Sequence, residues 1–254
     1  MLGALDNSRT LTTLGRQMAT FPIEPDLARI ILESKTYGCT FEVIDIVSLL
    51  SASSNLFLDM SEQRDAIADA RRKFRHPSGD HFTMLNALRS YQEIAANESK
   101  GERKEWCRKH YLNERTFTEA LKIRDQLREV CQRVGINWRL GASRSDVEES
   151  VLRSFTAGLK QQSALLQPDG SYKQLMGPFV VKIYPGSTLC GKKAPAIIFN
   201  ELVRSCSLLI SSAGCLCAAQ VHTSQIYARG VSSIPRGFLN NFTPMATNGT
   251  ITSR

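Results

Sequence analysis

Apolar positions recur at helical spacing from Pro25 to about residue 160, and this pattern predicts a succession of helices. In PDLARIILESKTYG, Pro25 suits the first turn and Gly38 the C-terminal stop. Thr40 is placed to cap FEVIDIVSLLSA, whose nearly all-round apolar character predicts a helix enclosed by others. SEQRDAIADARRKFR reads as a helix capped by Ser61, acidic early and basic late, with Arg71, Arg72, Lys73 and Arg75 complementing its dipole. HPSGD breaks the chain, and Asp80 is the expected cap of the following helix, where Phe82, Leu85 and Leu88 form an apolar stripe beside Arg89. ERKEWCRKHYLNERTFTEALKIRDQLREVCQRVG predicts a short helix and a long one, divided near Asn113 and ending at Gly135; SRSDVEESVLRSFTAGL predicts the last.

The period changes at about Gln161. SALLQ, PDGSYKQL, GPFVVKIYPGS and APAIIFNELV are short β-prone runs separated by Gly and Pro, and Asp169-Gly170 is a hairpin turn signal. The expected fold class is therefore α+β, a helical bundle followed by a small β-barrel or sandwich. The last residues, 241–254, are polar and rich in small side chains, and predict a disordered tail.

Charge narrows the choice of partner. Lys+Arg 32 against Asp+Glu 24 gives a net charge of +8 over 254 residues, which favours a polyanion, nucleic acid or an acidic membrane surface; the plain alternative is a solvated basic surface. The N-terminus shows no basic region followed by an apolar run, so no secretory signal is read there. Seven scattered cysteines, an odd number without framework spacing, fit a reducing compartment. Cys107-x-x-His110, with His76 and His81 nearby, invites a zinc site but lacks tetrahedral-site spacing, so no metal is expected. No Cys or Ser nucleophile with a positioned His and carboxylate is apparent, so no catalytic residue is expected either.

Five blocks, LGALD, LTTLGRQMATFPIEPDLARIIL, GDHFTMLNALRSYQ, WCRKHYLNERTFTEALKIRDQL and LLQPDGSYKQL with the VVKIYPGSTL and AIIFNELV runs that follow it, together resemble the C-terminal accessory region of DEAH-box RNA helicases. The resemblance covers residues 2 to about 204 and resumes at TSQIYARGVSSI. It implies a winged-helix remnant over 1–24, a ratchet-like helical bundle over 25–160 and an OB-fold barrel over 161–240. With two motor domains, such a module closes a channel around single-stranded RNA. In that frame Asp80 is expected as a cap and His81 as part of a structural helix start rather than as an RNA contact.

The chain departs from the family in four ways. It contains no G-x-x-x-x-G-K-[ST] loop and no Asp-Glu-Ala-His string, so it is expected to hold no cofactor and to have no ATPase activity of its own; ATP and magnesium belong to the motor domains of the resembled enzymes. It starts partway through the winged helix, which predicts weak support for the first twenty or so residues. Between Arg204 and Thr223 stands SCSLLISSAGCLCAAQVH, an insertion near 205–222 whose stretch 205–221 is uncharged, read as an enlarged loop, a membrane-inserting segment or a gene-model accident. The close of the barrel also departs, so an incomplete OB-fold is expected.

Expected RNA-contact residues are Arg115, Arg124 and Arg128 on the long helix, and Tyr172, Lys182, Lys192, Lys193, Arg204, Tyr227 and Arg229 on the β side. Rings would stack on bases and cations would follow phosphates. Expected partners are single-stranded RNA, the absent motor domains and a G-patch-type activator protein, with no membrane partner. The resemblance implies a nuclear or nucleolar location and a role in splicing or ribosome biogenesis. The competing readings are a protein-docking module and a nonfunctional gene fragment.

Overall fold

The computed structural model describes residues 2–58, 61–139, 146–208 and 222–240. The described helices are α1 (Thr13–Met18), α2 (Pro25–Tyr37), α3 (Thr40–Leu50), α4 (Arg64–Ala70), α5 (Asp80–Asn97), α6 (Lys100–Lys109), α7 (Glu114–Arg133) and α8 (Val147–Gly158). The strands are β1 (Ser163–Leu166), β2 (Tyr172–Gln174), β3 (Val180–Ile183), β4 (Ala196–Ile198), β5 (Glu201–Leu208), β6 (His222–Arg229) and β7 (Ser232–Ile234). The fold is α+β, helices first and a small sheet after.

Local chemistry explains several helix ends. Pro25 opens α2, and Gly38 closes it in the left-handed region at φ 66°. Asn113 caps α7 by accepting the Arg115 N–H. Ser99 and Glu102 form a capping box on α6. α3 is buried almost all round, including Glu42 and Asp45, as its apolar sequence requires.

Three sequence expectations fail at the level of single side chains. Thr40 does not cap α3; it lies within the helix, and its hydroxyl accepts from Ser34 at 3.0 Å. The helix expected over 61–75 is broken into a 3₁₀ turn at Ser61–Gln63, α4, and a second 3₁₀ turn at Arg72–Phe74. At the end of α4 Arg71 turns inward, donates to the carbonyls of Tyr111 at 2.8 Å and of Leu58, and lies 4.9 Å over the Phe57 ring. Asp80 is likewise not a side-chain cap; Gly79 occupies the cap position and makes no side-chain bond.

The N-terminal segment, largely exposed over residues 5–11, is tied down at several points. Leu5 and Leu11 form a bridge, the Asp6 carboxylate accepts from Ser8 and Thr10 N–H groups at 2.9 Å each, and Met18 and Phe21 are buried in the main core. That core packs α2 and α3 against α7 and α8 and continues into Ala196, Ile198 and Ile234 of the sheet. A second cluster fills the space around Phe74, Leu88, Tyr91 and Phe117.

The sheet order is β5-β6-β3-β2-β1-β4-β7. β1, β2 and β3 form an antiparallel meander, β3 runs parallel to β6, and β4 pairs with both β1 and β7. β4–β5 and β6–β7 share one antiparallel frame, from Ala196 opposite Ile234 to Leu208 opposite His222. These four strands therefore act as two long ones, each interrupted near Asn200 and Gly230, and they close the sheet through β1. Alternation gives β4 two duties: Ile197 faces the barrel core, while Ala196 and Ile198 face the helical core.

Of the uncharged insertion, residues 205–208 and 222 extend the β5–β6 ladder. Residues 209–221 and the tail at 241–254, for which an insertion role and disorder were expected, lie outside the described residues. No helix among the described residues is long and apolar enough to cross a membrane.

Candidate nucleic-acid interface

The GDH stretch joins the two halves of the molecule. The Asp80 carboxylate accepts from the Ser187 hydroxyl at 2.7 Å, the Thr188 N–H at 2.8 Å and the Val231 N–H at 2.8 Å, while its own N–H donates to the Val231 carbonyl at 2.7 Å. Gly79 bridges to Ser232, and the Ser233 N–H donates to the Ser78 carbonyl at 2.9 Å. The first turn of α5 is thus sewn to two separate barrel segments by a carboxylate and by strand-like backbone pairing.

His81 completes the junction. It is 1% exposed, with Nε2 3.0 Å from Asn200 Oδ1 and Nδ1 2.7 Å from the Ser232 hydroxyl, and its ring packs 4.5 Å from that of Phe155. An amide oxygen can only accept, so Nε2 carries the hydrogen and Nδ1 accepts from Ser232. Burial lowers the pKa of His81, as it does those of His76 and His110. Each folded-state pKa below the usual value means that the unfolded chain binds protons more readily. Stability is then complete above about pH 6.5 and declines as the pH falls further. Asp45, whose carboxyl is raised by burial, opposes this trend wherever it takes up a proton. Thermal unfolding at pH 7.5 and pH 5 should give the lower midpoint at pH 5, with a smaller difference in His81→Gln; an undiminished difference in that variant would refute the assignment of a neutral buried imidazole at His81.

Beside this junction lies a cleft of about 1080 Å³ between bundle and barrel. Its helical wall includes Phe57, Arg71 and Arg75, its barrel wall includes Tyr184, Arg204, Tyr227 and Arg229, and its lining also includes Asp80, Thr83, Thr188 and Asn200. Tyr184 and Tyr227 meet edge to face at 6.2 Å, and the Arg229 guanidinium lies 5.3 Å over Tyr184. Four acidic residues also line the cleft, Glu24, Asp26, Asp80 and Glu201. Three are engaged: Asp80 in the junction, Asp26 with the Gln162 amide at 3.0 Å, and Glu201 with Arg229 at 3.6 Å. The exposed Arg75 of the bundle and Arg204 of the barrel both line the cleft, and the Arg204 guanidinium also lies 5.6 Å over Phe179.

Of the ten residues expected to contact RNA, the cleft gathers Arg204, Tyr227 and Arg229. Lys182 is exposed and stands opposite Tyr227 in the β3–β6 ladder, without lining the cleft itself. Arg115, Lys192 and Lys193 are exposed elsewhere. Arg124 and Arg128 point to the buried Asp45 at 3.9 and 3.6 Å, and Arg128 also lies 4.5 Å over Trp138. Tyr172 is a correction: it is 2% exposed, with its hydroxyl donating to the Ala194 carbonyl at 3.2 Å, so its ring fills the barrel core and presents no stacking face. Sequence reading missed Arg75, taken as a dipole complement, and Tyr184. The signal for Tyr184 was present in VVKIYPG, where an aromatic ring follows Lys182 by two positions.

The zinc-like pair shows no metal geometry. Cys107 is buried with its thiol pushed up to about 12, and His110 Nδ1 lies 2.7 Å from the Trp106 carbonyl. Among the described residues no group of three or more His, Cys, Asp or Glu converges.

Comparison with known proteins bears on the whole arrangement. A family model described as "Helicase associated domain (HA2), winged-helix" matches residues 1–23, and one described as "Helicase associated domain (HA2), ratchet-like" matches 24–84. The chain is 38% identical over 206 residues to the ATP-dependent RNA helicase DHX33 of Homo sapiens, a match covering 80% of this chain and 28% of that protein. The chain carries the accessory modules of DEAH-box RNA helicases. DHX33 of Drosophila melanogaster is 36% identical over 77% of this chain and 27% of its own length. The probable ATP-dependent RNA helicase DHX35 of Pongo abelii is 29% identical over 96% of this chain and 30% of its own. The chain thus spans less than a third of the length of these relatives. Their common region corresponds to a helicase C-terminal accessory region, and the relatives are enzymes.

Proposed function

We propose that the cleft between bundle and barrel binds single-stranded RNA and serves as the passive wall of an RNA channel whose ATP-driven motor lies in other domains. The carrying observation is that Arg75 of the bundle and Arg204 of the barrel line one cleft together with Tyr184 and Tyr227. Cations on both sides follow a phosphate backbone, and ring faces accept unpaired bases without regard to sequence. The names of the relatives, ATP-dependent RNA helicases, support the same polymer. We assign the sheet as an OB-fold, on its five effective strands and the parallel β3–β6 pair. The reading extends, on family resemblance, to remodelling of nuclear or nucleolar ribonucleoprotein in splicing or ribosome biogenesis, with ATP and magnesium held by the motor.

The test is fluorescence anisotropy with a labelled oligouridylate of about 12 nucleotides. Three or four phosphate contacts predict that raising salt from about 50 to about 200 mM weakens binding roughly 20- to 50-fold. Absence of binding at the lower salt would overturn the reading. Docking of a glycine-rich activator segment is the second reading. It is favoured by the exposed pair Leu5 and Leu11, 54% and 49% accessible within the stretch matched to the winged helix.

A further inference from the structure

The side chains that give the cleft its chemistry sit on barrel segments tied to a single helical turn. Tyr184 lies three residues before Ser187, whose hydroxyl donates to Asp80. Arg229 lies two residues before Val231, whose N–H donates to the same carboxylate. Arg204 lies four residues beyond Asn200, whose amide oxygen accepts from His81. A fourth tie joins the hydroxyls of Thr83 and Thr188 at 3.1 Å. Asp80, Thr83, Thr188 and Asn200 themselves form part of the cleft surface, so the ties lie within the cleft lining.

The chemistry of these ties makes them directional. A carboxylate that accepts three donors fixes two barrel segments relative to each other as well as to the helix, because moving either lengthens a charge-assisted bond. The imidazole reaches a third segment with both nitrogens used, so ring rotation would break one bond or the other. Asn in place of Asp would set an amide N–H₂ against N–H and hydroxyl donors. Glu would keep charge and acceptors but move them by one methylene.

We propose that the first turn of α5, through Asp80 and His81, is the positioning element of the cleft. It fixes the spacing of the helical and barrel walls and, with it, the placement of Tyr184, Arg204 and Arg229 on a bound strand. This inference rests on the RNA-binding reading of the cleft, and it assigns to the GDH motif a role in ligand geometry beyond holding the fold.

Two measurements test it. In the first, Asp80→Asn, Asp80→Glu and the wild-type chain bind the labelled oligouridylate across a salt series, each at a temperature where unfolding curves show the folded state. Phe117→Leu, a fully buried side chain that does not itself line the cleft, serves as a control of comparable stability loss. Both Asp80 variants should bind about tenfold more weakly, and the slope of log K against log salt should flatten by about 0.7, the share of one phosphate. The control should keep the wild-type slope. Should Asp80→Asn not accumulate folded, His81→Gln reads the same quantity. In the second measurement, without RNA, spin labels on ketone-bearing residues at Lys122 and Lys192 report the distance between bundle and barrel; the variants should broaden or shift a narrow wild-type distribution. Wild-type affinity and slope in folded Asp80 variants, or an unchanged distance distribution, would overturn the positioning role. A wild-type chain that binds no RNA while the distances still shift would instead remove the RNA reading on which the inference rests.

Discussion

Gly79→Ala should lower the unfolding midpoint by roughly 10 °C or more, about 4 kcal/mol for a chain of this size. Gly79 sits at φ 125°, ψ −160°, a region open essentially to glycine. A Cβ built there would stand 2.4 Å from the Val231 carbonyl oxygen and 2.6 Å from Ser232 Cα. Both are backbone atoms held by the Asp80 and Ser78 bonds, so neither can step aside without opening the bundle–barrel junction. Strain accounts for about 1–3 kcal/mol, and relief of the clash by separating the walls accounts for the rest. Gly38→Ala is the internal standard: Gly38 also has a positive φ, 66°, but a Cβ there meets nothing within 4 Å, and the cost should stay near 1 kcal/mol. Thermal unfolding followed by circular dichroism would decide it. Equal losses at the two glycines would mean that the junction yields easily and is not a rigid seam.

The contrast between these glycines shows what a sequence displays and what it hides. Gly38 and Asn113 were legible because their partners lie within one helical turn. Asp80 was not: an acidic residue ahead of an apolar helix looks the same whether it caps or bridges, and its three donors stand 107, 108 and 151 residues away. Arg71 hid for a similar reason, since its carbonyl partners belong to neighbouring chain segments rather than to its own helix. On the β side, short apolar runs revealed strands but not the single frame that joins β4 to β5 and β6 to β7. Tyr172 and Tyr184 illustrate the remaining ambiguity. Both are tyrosines close to lysines in β-prone runs, yet one fills the barrel and the other lines the cleft. Which face a strand turns inward depends on closure of the sheet, and closure is set by pairings across the whole domain.

The same topology makes a second large effect predictable. Arg75 of the bundle and Arg204 of the barrel both line the cleft, both are exposed, and each can donate to a phosphate of a strand bound there. A charge-assisted bond of this kind contributes about 1.5 kcal/mol, so Arg75→Gln with Arg204→Gln should weaken oligouridylate binding roughly 100-fold at low salt. The salt slope should fall by about 1.4, because two phosphates would no longer be neutralised by the protein. Lys192 and Lys193 offer the matched comparison: they carry the same total charge on the same chain, are exposed, and lie outside the cleft. Lys192→Gln with Lys193→Gln should cost about twofold, through long-range attraction alone. Net charge is identical in the two double variants, so any difference between them reports position. Binding of the two variants, side by side at about 50 mM salt, is the direct measurement: a large loss confined to the cleft pair is the expected result, and equal losses, or a larger loss from the lysine pair, would show that RNA is held on the outer surface instead.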